Sequence, residues 1–270
     1  MYFDVEVDWC LNTGDTLDIH EPGTYTKVYE AGYDEEILSV TVQVLVLSDY
    51  YETVAGLYGS ALEDALRTLL QETVVLQTYG DARYILQEAD RDPDNPDNVL
   101  LIYTRDSVEG TWIGTEDRLW EREHVWPHSR LGEDLPRPSN TSRNISTDLH
   151  NLRAIDPGVN QSRSNKYFDE TTTSLSYYPG DEDRGDVARI FFYMALMYEA
   201  LELINDVPAP FQMAMLDVLI DWHTLDPVDD FERHRNDVIA SYQGNRNPFI
   251  DYPLFYQLIH FYEDFMLFEN

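Results

Sequence analysis

Apolar and polar positions alternate in short runs along residues 1–47. The clearest runs are "DVEVDW" and "ILSVTVQVLVL", and the turn-forming stretches "NTGD" and "EPGTY" separate such runs. A period of two residues places successive side chains on opposite faces of a β-strand. The pattern therefore predicts a few β-strands, followed by a boundary near Ser48.

From Tyr50 the apolar positions recur with the period of a helix. In "SALEDALRTLLQE" the leucines share one face, and Ser60 with Glu63 forms a predicted capping box. Four further stretches predict helices: "YGDARYILQEAD", "RGDVARIFFYMALMYEAL", "QMAMLDVLIDWHTL" and "VDDFERHRNDVIASYQ". "VLLIYT" predicts a strand, "GNRNPFIDYP" a loop, and "GEDLPRPSNTSRNISTD" a loop that ends at Asp148 as a helix N-cap.

These elements predict an α+β fold in two parts. Residues 1–48 would be a β-rich accessory segment, and residues 49–270 the main, mostly helical domain. A chain of 270 residues with 43% hydrophobic positions can bury a full core. We expect no membrane span, because the chain has no apolar run of eighteen residues, and no export signal is visible in "MYFDVEVDWCLNTGD".

Charge is the most unusual feature of the composition. The chain carries 51 acidic against 18 basic side chains, a net charge of -33. Such a surface repels polyanions at long range, and it is consistent either with a plain acidic coat or with adaptation to high salt. Net charge does not exclude an anionic substrate, because a site responds to its local field and its metal ions.

Candidate chemistry is concentrated in "WEREHVWPHSR", residues 120–130. A dense polar set follows about thirty residues later: Asp148, His150, Asn151, Arg153, Asp156, Asn160, Arg163 and Asn165. Magnesium needs few protein ligands when it keeps water and takes substrate phosphate, so Glu123 and Asn160 would suffice. His124 could then take a proton from the water that attacks phosphorus. The single cysteine, Cys10, leaves any metal to oxygen or nitrogen ligands.

Four stretches resemble the bacterial endonuclease I family of nonspecific nucleases: "REHVWPHSR", "DLHNLRAIDPGVNQSRSNKYF", "RGDVARIFFYMALMYE" and "QGNRNPFIDYP". The resemblance covers about Tyr50 to Ile259. It implies a ββα-metal (His-Me finger) core within an α+β domain, a single Mg²⁺ that Mn²⁺ or Ca²⁺ can replace, and hydrolysis of DNA and also of RNA. It also implies a secreted or periplasmic protein, without membrane partners, and we expect a monomer.

The same resemblance assigns roles to individual residues. His124 matches the general base, and Glu123 and Asn160 match the metal ligands. The remaining matches are interpreted as positions that support the site or its strand and helix: Glu121, Asp148 and His150. An arginine that stabilises the phosphorane is also expected, and Arg163, Arg143 and Arg130 are all candidates. Only Arg163 lies in an alignable motif, and a structural salt bridge is an equally good interpretation of it.

The sequence departs from the family in two respects. Its one cysteine indicates the branch without disulfides, and residues 1–48 match no part of the family. Two other functions would fit parts of the sequence. A noncatalytic module that binds nucleic acid or a surface polymer would be expected to lose ion-binding residues, yet Glu123, His124 and Asn160 are present. A zinc peptidase, suggested by "EREH", lacks the H-E-x-x-H motif and a third ligand.

Overall fold

The computed structural model describes residues 10–33, 36–114 and 117–261. The chain separates into two compact units, Met1–Leu57 and Tyr58–Asn270. The boundary expected near Ser48 lies shortly before this division. The assignment of the two parts as independent domains stays a prediction, which a truncated chain can test.

The N-terminal unit contains an antiparallel sheet. Its strands, in spatial order, are β1 (Cys10–Gly14), β2 (Gly23–Tyr33) and β3 (Glu36–Val46). The register of β2 and β3 runs without interruption from the pair Gly23 and Val46 to the pair Tyr33 and Glu36. The strand predicted at "ILSVTVQVLVL" is confirmed as β3. The one predicted at "DVEVDW" lies outside the described residues.

Helices dominate the second unit. They are α1 (Gly59–Thr73), α2 (Tyr79–Ala89), α3 (Pro157–Arg163), α4 (Arg184–Met197), α5 (Leu216–Leu225), α6 (Asp230–Gln243), α7 (Pro248–Asp251) and α8 (Phe255–His260). The strands form two-stranded sheets: β4 (Asn98–Leu100) with β5 (Ser107–Glu109), β6 (Glu121–His124) with β7 (Leu152–Ile155), β8 (Tyr167–Phe168) with β9 (Ser176–Tyr177), and β10 (Glu202–Leu203) with β11 (Gln212–Met213). This mixture confirms the α+β class and the five predicted helices. The predicted loop "GNRNPFIDYP" contains the short helix α7.

Two local predictions were wrong. Ser60 does not cap α1, because the helix already begins at Gly59 with Tyr58 as its N-cap. The strand predicted at "VLLIYT" ends at Leu100, because the chain turns at Tyr103, whose φ is 74°. The Tyr103 amide donates to the Asp183 carboxylate over 2.7 Å, a tertiary contact that replaces strand pairing.

The core of this unit is built around α4, the helix predicted to be buried. Nearly every α4 side chain is buried, on all sides of the helix. Phe191 and Phe192 make edge-on ring contacts with Trp126 and Phe249, at centroid separations of 5.3 and 5.7 Å. Within the described residues, no helix is long and apolar enough to cross a lipid bilayer.

Buried ion pairs fix strand β7 beside this core. The Arg153 guanidinium on β7 lies 3.0 Å from Asp90 and 3.0 Å from Asp186. Asp90 also accepts a hydrogen bond from the Ala154 amide over 2.6 Å. Removing one partner of a buried pair leaves an uncompensated charge, so this arrangement resists displacement of β7. The strand in turn carries β6 and its candidate residues.

Candidate active site

Strands β6 and β7 and helix α3 assemble the predicted residues. The strands are antiparallel, with Glu121 opposite Ile155 and His124 opposite Leu152. Helix α3 follows β7 directly, because Asp156 caps it by accepting from the Val159 amide and Pro157 occupies its first position. The helix brings Asn160 against β6.

A cavity of about 670 Å³ opens beside these elements. Five of the residues to which the family resemblance gives a role line it: Glu121, Glu123, His124, Asn160 and Arg163. Alternation along β6 directs the two glutamates to one face of the strand and His124 to the other. The cavity borders both faces of the strand, so the Glu123 carboxylate and the His124 imidazole both line it.

Glu123 is a buried carboxylate, only 2% exposed. Its Oε1 accepts a hydrogen bond from the Tyr103 hydroxyl over 3.0 Å and lies 3.0 Å from Arg163 Nη1. Burial raises the pKa of Glu123 to about 6, and the positive charge of Arg163 opposes that rise. Both contacts are made by Oε1.

His124 is held in one tautomer by the main chain. Its Nε2 donates to the Ser146 carbonyl over 2.8 Å, which leaves Nδ1 as the proton acceptor of the neutral ring. Burial lowers the pKa of His124 to about 4, so the ring is neutral at pH 7. The Tyr79 ring stacks on it at 5.6 Å, and His128 approaches edge-on at 5.5 Å.

Asn160 is also oriented by a neighbour. Its Nδ2 donates to Glu121 Oε1 over 2.8 Å, and Glu121 pairs with Arg118 at 2.7 Å. Since the amide nitrogen is committed to Glu121, the amide oxygen is left for another partner. An amide cannot present both atoms in the same direction, so this contact decides which one is available.

Arg163 is a buried guanidinium that binds the end of β6. It donates to the carbonyl of His124 over 2.9 Å and to that of Val125, and it lies 4.8 Å from the centre of the Phe168 ring. These contacts fix the position of Glu123 and the strand end. Arg163 also lines the cavity. Its role toward phosphate stays a prediction.

The other two candidate arginines differ in position. Arg130 donates to the carbonyls of Asn165 and Pro208 over 3.1 and 2.6 Å, and it does not line the cavity. Arg143 likewise lies outside the cavity lining. Of the three candidate arginines, Arg163 is the one that lines the cavity.

Asp148 and His150 lie away from the cavity and hold the chain that leads into β7. Asp148 caps the turn 149–151 by accepting from the His150 amide, and it also accepts from the hydroxyls of Tyr193 and Tyr198 over 2.9 and 2.8 Å. Burial lowers the pKa of His150 to about 3, and its Nε2 meets the Asn245 carbonyl at 3.3 Å. Both residues join this segment to the helical core.

The donors around the cavity fit a hard, hydrated cation. Asn160 and Glu123 each offer one oxygen, and magnesium binds to one or two protein oxygens when water and phosphate complete its shell. In the described ranges no group of three His, Cys, Asp or Glu side chains has the geometry of a metal site. A fully protein-coordinated ion such as structural zinc would need more donors than this pair supplies.

The cavity has a positive balance of charge in a very acidic chain. Four arginines line it, against two glutamates: Arg118, Arg122, Arg137 and Arg163. Most arginines elsewhere pair with carboxylates, whereas Arg122 and Arg137 have no carboxylate partner among the described residues. Such unpaired cations attract a phosphate backbone at short range.

The sequence did not indicate several residues of the site. Tyr103, which binds Glu123, and Ser146, whose carbonyl binds His124, carry no local signal, because their contacts form only in the fold. Arg122 could have been found, since alternation along "EREH" places it on the same face as His124. Arg137, in a proline-containing loop, could not.

Comparison with known proteins identifies the family. The model of the family described as Endonuclease I matches residues 58–178 and 170–254. The extracellular ribonuclease of Bacillus subtilis (strain 168) is 40% identical over 228 residues, which cover 76% of this chain and 75% of that protein. The extracellular ribonuclease of Bacillus amyloliquefaciens is similar to the same extent. Endonuclease-1 of Buchnera aphidicola subsp. Acyrthosiphon pisum is 27% identical over 123 residues, 40% of this chain and 46% of that protein.

The chain therefore belongs to the Endonuclease I family of nucleases. The resemblance seen in the sequence is confirmed.

Proposed function

We propose that this protein is a Mg²⁺-dependent endonuclease that hydrolyses phosphodiester bonds of DNA, and also of RNA, without sequence preference. One observation carries the proposal: His124, Glu123 and Asn160 line the same cavity. The Ser146 carbonyl holds His124 in the tautomer that can act as a base. A relative named extracellular ribonuclease supports RNA as a substrate, and a relative named Endonuclease-1 supports cleavage within a nucleic-acid chain.

The three elements of the site have the order that a ββα-metal core requires. Strand β6 carries the base and one ligand, β7 pairs with it, and α3 supplies the second ligand. We assign this substructure as the His-Me finger core of the protein. The identity of Glu123 and Asn160 as ligands, and of His124 as base, is part of the same proposal.

The chain's own residues would carry most of the reaction. Arg122 and Arg137 attract the phosphate, and the cavity walls orient it beside β6. His124 Nδ1 takes a proton from water as the water oxygen bonds to phosphorus and the bond to the leaving oxygen breaks. The Ser146 carbonyl stabilises the resulting imidazolium through Nε2. A bound Mg²⁺ would stabilise the negative charge that develops on the phosphate and leaving oxygens.

We further propose that the protein is secreted, because two of its relatives are named as extracellular. We also propose that it acts as a monomer, since all predicted site residues belong to one compact unit of one chain. Adaptation to high salt would account for the net charge of -33.

The test is digestion of plasmid and RNA with Mg²⁺ and with excess chelator. Wild type is expected to cleave both only with the ion. His124→Ala should retain binding but lose about 10²- to 10⁴-fold in rate. His234→Ala is the matched control, because His234 hydrogen-bonds the Glu88 carbonyl and does not line the cavity. Binding without cleavage by wild type would instead support the noncatalytic module.

A further inference from the structure

One wall of the cavity contains two aromatic rings and a guanidinium that lies over each of them. The Arg122 guanidinium carbon lies 3.6 Å from the centre of the Tyr79 ring and 5.1 Å from that of Trp112. All three side chains line the cavity. We name this set, Tyr79, Arg122 and Trp112, the aromatic wall.

The wall is anchored from behind and accessible from the front. Tyr79 and Trp112 pack on the hydrophobic cluster formed by α2, β7 and α6, yet both stay half-buried. Trp120 supports Trp112 edge-on, with ring centres 4.9 Å apart. This support fixes the indole without enclosing it, as a preformed binding surface requires.

Trp112 differs from the two tryptophans that serve the core. Trp120 and Trp126 are fully buried, and each indole N–H donates to a main-chain carbonyl, over 3.1 and 3.2 Å. The Trp112 N–H has no hydrogen-bond partner among the described residues. A tryptophan that only fills the core normally satisfies this group, so Trp112 is better placed to serve the cavity.

We infer that the aromatic wall binds an unpaired nucleobase next to the scissile phosphate. The inference rests on the proposed nuclease function and adds a substrate preference to it. Every base has a π face that stacks on aromatic rings and on arginine, whatever its sequence. Tyr79 stacks on His124 and contacts Arg122, so the wall begins beside the proposed general base.

A base in a duplex is already stacked and paired, so it reaches such a wall only after unpairing. Single-stranded DNA or RNA needs no such step. The protein therefore binds single strands more tightly than duplexes of the same length, and Trp112 carries a large share of the difference.

Fluorescence anisotropy in EDTA tests this preference without cleavage. The probes are a labelled single-stranded DNA of about eight nucleotides, within the usual range for such sites, and a hairpin with a duplex of equal length. Trp112→Ala is expected to weaken single-strand binding by about 5- to 150-fold, with a smaller effect on the hairpin. Trp112→Phe, which keeps a ring, should lose less. Tyr84→Ala removes an exposed ring that does not line the cavity and is the matched control.

A second measurement does not depend on how well the alanine variant is packed. Single abasic nucleotides are placed in turn along the single strand. At one position the missing base should weaken binding by wild type but not by Trp112→Ala. The alanine variant has already lost the ring on which that base stacks, so removing the base weakens its binding no further. Equal losses for the two proteins at every position would overturn the inference, as would equal losses on single strand and hairpin.

Cleavage by wild type with Mg²⁺ is measured on the same probes. If cleavage is normal and the abasic scan shows no Trp112-dependent position, only the aromatic wall is refuted. Absence of cleavage by wild type would refute the proposed nuclease, and the inference with it.

Discussion

At the scale of single residues, the site depends on contacts that select one atom of a side chain. Ser146 selects the nitrogen of His124 that can accept a proton, and Glu121 selects the oxygen of Asn160. Neither contact adds a new functional group. The first contact excludes the other tautomer of His124, and the second excludes the flipped amide of Asn160. In either alternative an N–H group would replace the acceptor atom.

Glu121→Ala is expected to raise the Mg²⁺ concentration that gives half-maximal activity by about 10-fold or more, because the Asn160 amide is then free to rotate. Glu121→Gln keeps an acceptor for Asn160 Nδ2 and should shift it less. Calorimetric titration with Mg²⁺ gives a reading independent of cleavage. Identical midpoints for wild type and the alanine variant would show that Glu121 does not orient Asn160.

At the scale of elements, a short 3₁₀ turn at residues 145–147 orients His124, the proposed general base. Asn144 caps this turn: its Oδ1 accepts from the Ser146 amide over 2.9 Å and from the Ser146 hydroxyl over 2.6 Å. The Thr147 hydroxyl in turn accepts from the Asn144 amide over 3.2 Å. The Ser146 carbonyl can orient His124 only while the turn is intact.

Asn144→Ala is therefore expected to lower kcat with little change in KM, together with a loss of about 1 kcal/mol of stability from the missing cap. Asn144→Asp retains an acceptor and serves as the control for capping. The tautomer of His124, followed by nitrogen NMR, should become mixed in the alanine variant. A kcat equal to that of wild type would exclude this role.

Helix α5 carries His223, a neutral histidine packed in the core. Burial, with a smaller effect of Arg189, lowers the pKa of His223 to about 4. Its Nε2 donates to the Pro253 carbonyl over 3.1 Å, and its buried Nδ1 has no hydrogen-bond partner among the described residues. The fold therefore offers no acceptor for the second proton of the charged ring.

The sign of the pH effect follows from this lowered pKa. An unfolded chain takes up the proton near pH 6.5, so the stabilisation by neutral His223 is present above pH 6.5 and is lost as pH falls toward 4. The difference in Tm between wild type and His223→Gln, which cannot titrate, should narrow over this range. A difference that stays constant from pH 7 to pH 4 would contradict the assignment.

At the scale of the whole molecule, the described residues of the site and the family match lie after Leu57. A chain that begins at Tyr50 is accordingly expected to fold and to cleave nucleic acid at close to the rate of the full chain. The measurements are thermal unfolding and plasmid digestion, with the full chain as reference. Insolubility or inactivity of the shortened chain would mean that the N-terminal strands complete the catalytic unit.

Charge acts at the same scale, because a nuclease of net charge -33 would hold its polyanionic substrate at the proposed cluster of arginines. Salt screens long-range repulsion first, since the Debye length falls to about 8 Å at 0.15 M. Cleavage at fixed Mg²⁺ should therefore rise with NaCl to an optimum above about 0.15 M, and then fall as the arginine contacts weaken. KCl is the control for a sodium-specific effect. A steady decline from low salt would show that the local cluster dominates throughout.

The sequence by itself determined five of the helices, the strand β3, the family and the residues proposed for chemistry. Periodicity specifies which face of an element is apolar, and "EREH" with the Asn160 motif is a local pattern. Only the tertiary structure decided how these residues are used. The tautomer of His124, the orientation of Asn160 and the shortening of the strand predicted at "VLLIYT" depend on Ser146, Glu121 and Asp183. These partners come from other parts of the chain, and hydrogen bonds between segments distant in sequence leave no periodic trace in it.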